Sequence, residues 1–140
     1  MPQILVIEDN RGDAGLLEEA FKETKLMVEL KILNEGADVL NYLRHKGKYS
    51  DSKSPEIILL DLNLPEKGGI EILKEIKSDP LLLHIPVVVL SVSDRKEDIC
   101  MAYSMHANAY LVKPIDLNRL FELVKCIYMF WIKEVSLAKG

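Results

Sequence analysis

The side chains of this chain that could do chemistry stand just past short apolar runs. Glu8 and Asp9 follow QILVI, Asp61 follows EIILL, Ser91 follows VVVL, and Lys113 follows NAYLV. If these runs are parallel strands of one open sheet, their carboxyl ends bring the acids, the hydroxyl and the ammonium to a single edge. Such sheets bind ligands there, near the point where strand order reverses. Carboxylates held within a few ångströms repel one another, and burial beside apolar strands raises their pKa values unless a cation compensates. A hard divalent ion with oxygen ligands answers that need, and Mg²⁺ suits it by taking one or two carboxylates, water and then a phosphate oxygen. Lys113 adds a positive charge and Ser91 a hydroxyl that can donate to an oxyanion. The set favours phosphoryl transfer, with Asp61 as the nucleophile toward phosphorus and the metal and lysine neutralising charge on the equatorial oxygens.

The elements needed to position these groups are legible as an alternation of short apolar runs with helix-period segments, which argues for βα repeats with helices on both faces of a parallel sheet. Residues 3–7 form a first strand, and after the loop 8–12 a helix begins near Asp13, its expected N-cap, with Leu17, Ala20, Phe21 and Thr24 inward. Residues 28–33 alternate apolar and charged side chains, which places them at a sheet edge. A short helix from Ala37 to about Arg44 leads to HKGKYSDSKSP, residues 45–55, read as an exposed, mobile loop. The unbroken apolar runs 56–60 and 87–90 have the character of central strands. Between them a helix carries Ile70, Leu73, Ile76 and Lys77 and stops at Ser78-Asp79-Pro80, because proline disfavours helical geometry in the residue before it. A fourth helix is expected over 94–105, a last strand over 108–112, and from Asp116 a long amphipathic helix through Leu117, Leu120, Phe121, Val124, Tyr128 and Trp131.

Composition sets the outer limits. A chain of 140 residues, 49% hydrophobic and 29% charged, fits one globular domain, expected over 1–140 with its core at about 3–132, a short extension after it and no output domain. The net charge of -4 supplies no polycationic footprint for nucleic acid. The N-terminus has no signal-peptide character and no apolar run reaches membrane-spanning length, so a cytoplasmic protein without membrane attachment is expected. Cys100 and Cys126 lack metal-ligand spacing and are expected to be reduced and at least half-buried.

The segments VIEDN (6–10), LLDLNLPEKGG (59–69), VVVLSVS (87–93) and YLVKP (110–114) resemble, in order and spacing, the receiver domains of two-component response regulators. The resemblance spans roughly residues 3–132, with a proline four and a glycine eight residues beyond Asp61. It implies a flavodoxin-like, doubly wound α/β fold with a five-stranded parallel sheet in the order 2-1-3-4-5. It further implies that Asp61 is the phosphoacceptor, Asp9 a direct Mg²⁺ ligand, Glu8 a second acid acting through water, and the Asn63 carbonyl another ligand. Ser91 would be the hydroxyl switch, Tyr110 the aromatic that follows it, and Lys113 the partner of Asp61 or its phosphate. The Lys113-Pro114 bond would be cis, and Asn63 and Ser93 would stand where family members tune dephosphorylation. His106 departs from the pattern, since a glycine commonly ends the fourth helix there. A narrower resemblance, carried by EDNRGDAGLLEEAFKE, HANAYLVKPIDLNRLFELVKCI, the long loop before the third strand and Phe130-Trp131, is to single-domain regulators that partner bacterial phytochromes and related sensor kinases.

Taken singly, these residues read blandly. Glu8-Asp9 would be a solvated acidic turn, Lys113 an exposed lysine, Ser91 a strand-end hydroxyl bonded to backbone, and Tyr110 plain packing. Their ordered placement favours the phosphorylation switch, a stoichiometric acceptor and not an enzyme, with slow autodephosphorylation implied. A Mg²⁺-dependent phosphatase of the haloacid-dehalogenase kind needs a DxD motif, whereas Asp61-Leu62-Asn63 supplies no second carboxylate for general acid and base work. A flavodoxin-type cofactor carrier needs a Ser/Thr/Gly-rich phosphate loop where this chain has EDNRGD. The expected partners are a sensor histidine kinase and, because Met129, Phe130, Ile132 and Val135 exceed what packing on the sheet requires, a second copy of the chain through the face of the fourth and fifth helices.

Overall fold

The computed structural model describes residues 1–62 and 68–138. Strands β1 (Gln3–Ile7), β2 (Glu29–Leu33), β3 (Ile57–Leu60), β4 (Val87–Ser91) and β5 (Ala109–Val112) form one parallel sheet in the order β2-β1-β3-β4-β5. The helices between and after them are α1 (Arg11–Glu23), α2 (Val39–Leu43), α3 (Gly69–Ser78), α4 (Lys96–Ser104) and α5 (Leu117–Ile127), followed by a π-helical segment, Tyr128–Glu134. The central strands β1, β3 and β4 are buried along their whole length, whereas β2 and β5 at the edges are only partly covered.

Alternation along the buried strands sorts the core into two layers. Leu5, Ile7, Ile58 and Leu60 face a cluster completed by Tyr42 and Leu43 of α2, Ile72, Leu73 and Ile76 of α3, and Ala102 of α4. Ile4, Val6, Ile57 and Leu59 face the other side, against Leu17, Ala20 and Phe21 of α1 and Leu120, Val124 and Ile127 of α5. At about 25 cal/mol per Å² of apolar surface, burial of these side chains is the main stabilising contribution and clamps the strand ends in register.

Several local expectations are corrected by the fold. Asn10, not Asp13, caps α1: its side-chain oxygen accepts from the Asp13 N–H at 3.0 Å, which frees the Asp13 carboxylate to turn elsewhere. Residues 45–55 are largely exposed, as expected, but carry local order, since Gly47–Tyr49 make a 3-10 turn, Ser52 Oγ donates to the Tyr42 carbonyl at 2.8 Å, and His45 Nδ1 lies 2.7 Å from Ser52 Oγ. Cys100 and Cys126 are free but exposed, on the outer faces of α4 and α5, because neither lies on the stripe its helix buries. His106 does adopt left-handed geometry, φ 71°, despite lacking the freedom of glycine. The Ala107 N–H bonds to the Ala102 carbonyl at 3.0 Å and the His106 N–H to the Tyr103 carbonyl at 2.9 Å, a Schellman-type ending that offsets the strain.

The Lys113-Pro114 bond also differs from expectation: no peptide bond among the described residues is cis. The trans isomer is intrinsically favoured by about 0.5–1 kcal/mol before proline, and Lys113 reaches its carboxylate partners from it. The last amphipathic stretch is not one α-helix, since it passes into π-helical geometry at Tyr128. Its surplus apolar side chains divide between two fates. Ile132 packs against the core beside Trp131 and Val135 is half-buried, while Met129 and Phe130 remain exposed.

Candidate functional site

Glu8, Asp61 and Lys113 each continue a backbone ladder past the end of a strand. The Glu8 N–H donates to the Leu33 carbonyl at 3.1 Å, the Asp61 N–H to the Ile7 carbonyl at 3.1 Å, and the Lys113 N–H to the Ser91 carbonyl at 2.7 Å. The sheet therefore sets the backbone positions of the acids and the lysine before any side-chain contact is counted. One carboxylate oxygen each from Glu8, Asp9 and Asp61 lies within 4.8 Å of the others. Glu8, Asp61 and Ser91 are buried, and Asp9 is half-exposed at the mouth.

Among the described residues, Lys113 is the cation facing this cluster. Its Nζ hydrogen-bonds Glu8 Oε2, lies 3.3 Å from Asp13 Oδ2 and stands 3.6 Å from Asp61 Oδ2. The Lys113 side chain is 11% exposed. Burial works against its charge, but the Glu8 hydrogen bond and the fields of Asp61, Glu8 and Asp13 outweigh it and raise the ammonium pKa. Glu8 is pushed up to about 7. Burial is the largest cause; the hydrogen bond from Lys113 opposes it, and contact with Asp61 adds to the rise. Among the described residues, one ammonium thus faces three clustered carboxylates. That electrostatic imbalance and the all-oxygen donor set both fit a hard divalent cation.

Around this centre, Ser91 Oγ accepts from the Ser93 N–H at 3.2 Å, and the Tyr110 hydroxyl donates to the Ser93 carbonyl at 2.8 Å. Tyr110 is partly buried against the α2-α3 layer of the core. Gly69 closes the other side. A Cβ there would meet Leu62 Cα at 2.5 Å and the Asp61 carbonyl at 2.6 Å, so only glycine permits the first turn of α3 to approach the acceptor segment so closely. Asn63 and Pro65 lie outside the described residues.

The model of the response regulator receiver domain matches residues 4–125 of this chain. The chain belongs to the response regulator receiver family. This receiver is 43% identical over 134 residues to the response regulator Rcp1 of Synechocystis, covering 96% of this chain and 91% of Rcp1. The phosphorylated cyanobacterial phytochrome response regulator RcpA superposes with a TM-score of 0.92 at 43% identity, covering 99% of both chains. The Mn²⁺-bound form of Rcp1 superposes with a TM-score of 0.90 at 42% identity, covering 99% of this chain and 100% of that one. The receiver is thus a two-component signalling protein, similar in sequence and fold to these response regulators. No helix among its described residues is long and apolar enough to cross a membrane.

The sheet brings together Glu8, Asp9, Asp61 and Lys113 as the sequence suggests, with Ser91 at the adjoining strand end. It also adds Asp13, whose ion pair with Lys113 was hidden because an acid before a helix reads as a cap. Ser93 gains a set of contacts that the spacing alone does not reveal.

Proposed function

We propose that this receiver accepts a phosphoryl group onto Asp61 from the phosphohistidine of a sensor histidine kinase, in a Mg²⁺-dependent step. The observation that carries the reading is the convergence of the Glu8, Asp9 and Asp61 carboxylates within 4.8 Å beside Lys113. Asp9 and Asp61 would hold the ion directly, Glu8 through water, and the Asn63 carbonyl would complete the protein ligands. When bound, Mg²⁺ supplies charge neutralisation for the phosphoryl oxygens.

The protein's own residues do the rest. An Asp61 carboxylate oxygen forms the bond to phosphorus, the nitrogen–phosphorus bond of the donor breaks, and the electron pair leaves with the imidazole, which takes up a proton. Lys113 pairs with the negative charge gathered on Asp61, and the Ser91 hydroxyl donates to a phosphoryl oxygen. Burial of Asp61 keeps bulk water from the acyl phosphate, so hydrolysis is slow and the chain acts stoichiometrically.

The output is binding. Ser91 and Tyr110 are drawn inward on phosphorylation and alter the surface of α4, β5 and α5. That face already exposes Met101, Val112, Ile115 and Leu117, apolar side chains suited to a second copy of the chain or a partner. Phosphotransfer profiling against purified sensor kinases, with and without EDTA, tests the function. Rapid Mg²⁺-dependent transfer from one kinase is expected; no transfer from any kinase, and none from acetyl phosphate, would contradict it.

A further inference from the structure

Helix α4 is the helix least secured by burial, since Ala102 is its one buried residue. Hydroxyl bonds tether it instead. In its first turn Asp98 Oδ2 accepts from Ser93 Oγ at 2.5 Å, and near its end the Tyr103 hydroxyl accepts from the Tyr110 backbone N–H at 3.1 Å. Both tethers end on residues connected to Ser91. The Ser93 N–H donates to Ser91 Oγ, and the Ser93 carbonyl accepts from the Tyr110 hydroxyl.

We propose that Ser93 is a positioning residue for the switch, its clasp on Asp98 setting how readily Ser91 turns toward a phosphoryl group. The inference rests on phosphorylation at Asp61 and goes beyond it in assigning Asp98 and the Ser93 hydroxyl a role. A Ser91 hydroxyl that rotates toward Asp61 withdraws the acceptor of the Ser93 N–H. A part-buried N–H left without a partner is costly, so the turn after β4 must move with Ser91. Moving the turn pulls Ser93 Oγ from Asp98 and the Ser93 carbonyl from Tyr110. The bond to Asp98 has an ionised acceptor, which makes it one of the stronger bonds resisting the change. The Ser93 hydroxyl also accepts from the Arg95 N–H at 3.2 Å, so the same group organises the approach to α4. With so little apolar contact to hold α4, release of the clasp frees the helix that carries part of the output face.

A plain helix-capping role predicts lost stability and no change in ligand affinity, which separates the two. The test uses the full chain, saturating Mg²⁺ and beryllofluoride as the phosphoryl mimic. Wild-type binding that is lost in Asp61→Asn secures the underlying reading, and its absence would overturn that reading itself. Given that binding, Asp98→Ala and Ser93→Ala are each expected to bind beryllofluoride about two- to tenfold more tightly, the range expected for loss of one hydrogen bond opposing the change. The double variant should gain no more than Ser93→Ala alone, because that substitution already removes the bond that Asp98→Ala removes. Mg²⁺ affinity without beryllofluoride should not move. Asp98→Asn, which keeps the shape and removes the charge, should shift affinity in the same direction by less, and it serves if the alanine variant fails to fold. Unchanged or weaker beryllofluoride binding in these variants, or additive effects in the double, would overturn the clasp.

Discussion

Lys113 Nζ stands 3.6 Å from Asp61 Oδ2 while its hydrogen bonds go to Glu8 and Asp13. The lysine is therefore not committed to the acceptor carboxylate. It is shared among the acids and can follow negative charge toward Asp61 when a phosphoryl group arrives. In that arrangement Lys113 serves stability and transfer by separate means, and a substitution affects both.

Lys113→Ala should destabilise the metal-free protein by about 2–4 kcal/mol, because it removes the ammonium that hydrogen-bonds buried Glu8, although proton uptake by Glu8 limits the loss. Saturating Mg²⁺ should recover part of that loss in thermal unfolding. Phosphorylation by acetyl phosphate should slow by about 100-fold, as for the loss of a charged group facing a developing oxyanion. Stopped-flow and unfolding measurements on the same variant check both parts.

Metal affinity should depend on pH through Glu8, whose pKa is pushed up to about 7. Below that value a cation must displace a proton, so apparent Mg²⁺ affinity should fall by about tenfold per pH unit and level off above it. The metal-free fold shows the opposite trend. Its protonated Glu8 is favoured relative to the unfolded chain, so a stability contribution fully present below about 4.5 is lost as pH rises toward about 7, amounting to no more than about 3 kcal/mol. Titration calorimetry and denaturant melts between pH 5 and 8 follow the two curves.

Gly69→Ala should cost about 2–4 kcal/mol, because its Cβ has nowhere to go between Leu62 and the Asp61 carbonyl except by displacing backbone. The displaced backbone is that of the acceptor, so labelling at Asp61 should fall even where the variant still folds. Normal labelling with normal stability would show that the close approach is dispensable.

Removing exposed apolar side chains from the output face, in an Ile115→Ser, Leu117→Ser variant, should leave stability within about 0.5 kcal/mol, since both side chains lie at the surface. Solution mass with and without beryllofluoride then tests self-association. A dimer that disappears in the variant places the interface on this face, and a wild-type monomer in both states removes the second copy as the partner.

The fold and the acidic cluster were legible because both depend on strong local signals. Unbroken apolar runs mark β1, β3 and β4, and a polar residue directly past each run, Glu8, Asp61 or Ser91, has no choice of edge. What stayed hidden depends on side-chain direction. Asp13 reads as a cap until Asn10 takes that role, and Ser93, singled out only by the family resemblance, has contacts with Asp98 and Tyr110 that no spacing contains. The exposure of Cys100 was missed for a related reason, since a weakly amphipathic helix such as α4 does not announce which side it buries, whereas Cys126 lies off the apolar stripe already visible in α5. Gly69 was visible as a spacing, but its physical reason is a distance to backbone that no spacing contains.

Intact-mass measurement after treatment with acetyl phosphate and Mg²⁺, on wild type and Asp61→Asn side by side, tests the central claim most directly. The account predicts one added phosphoryl group on the wild type, lost in base and absent with EDTA, and none on Asp61→Asn. The same added mass on the variant, or none on the wild type, would contradict it.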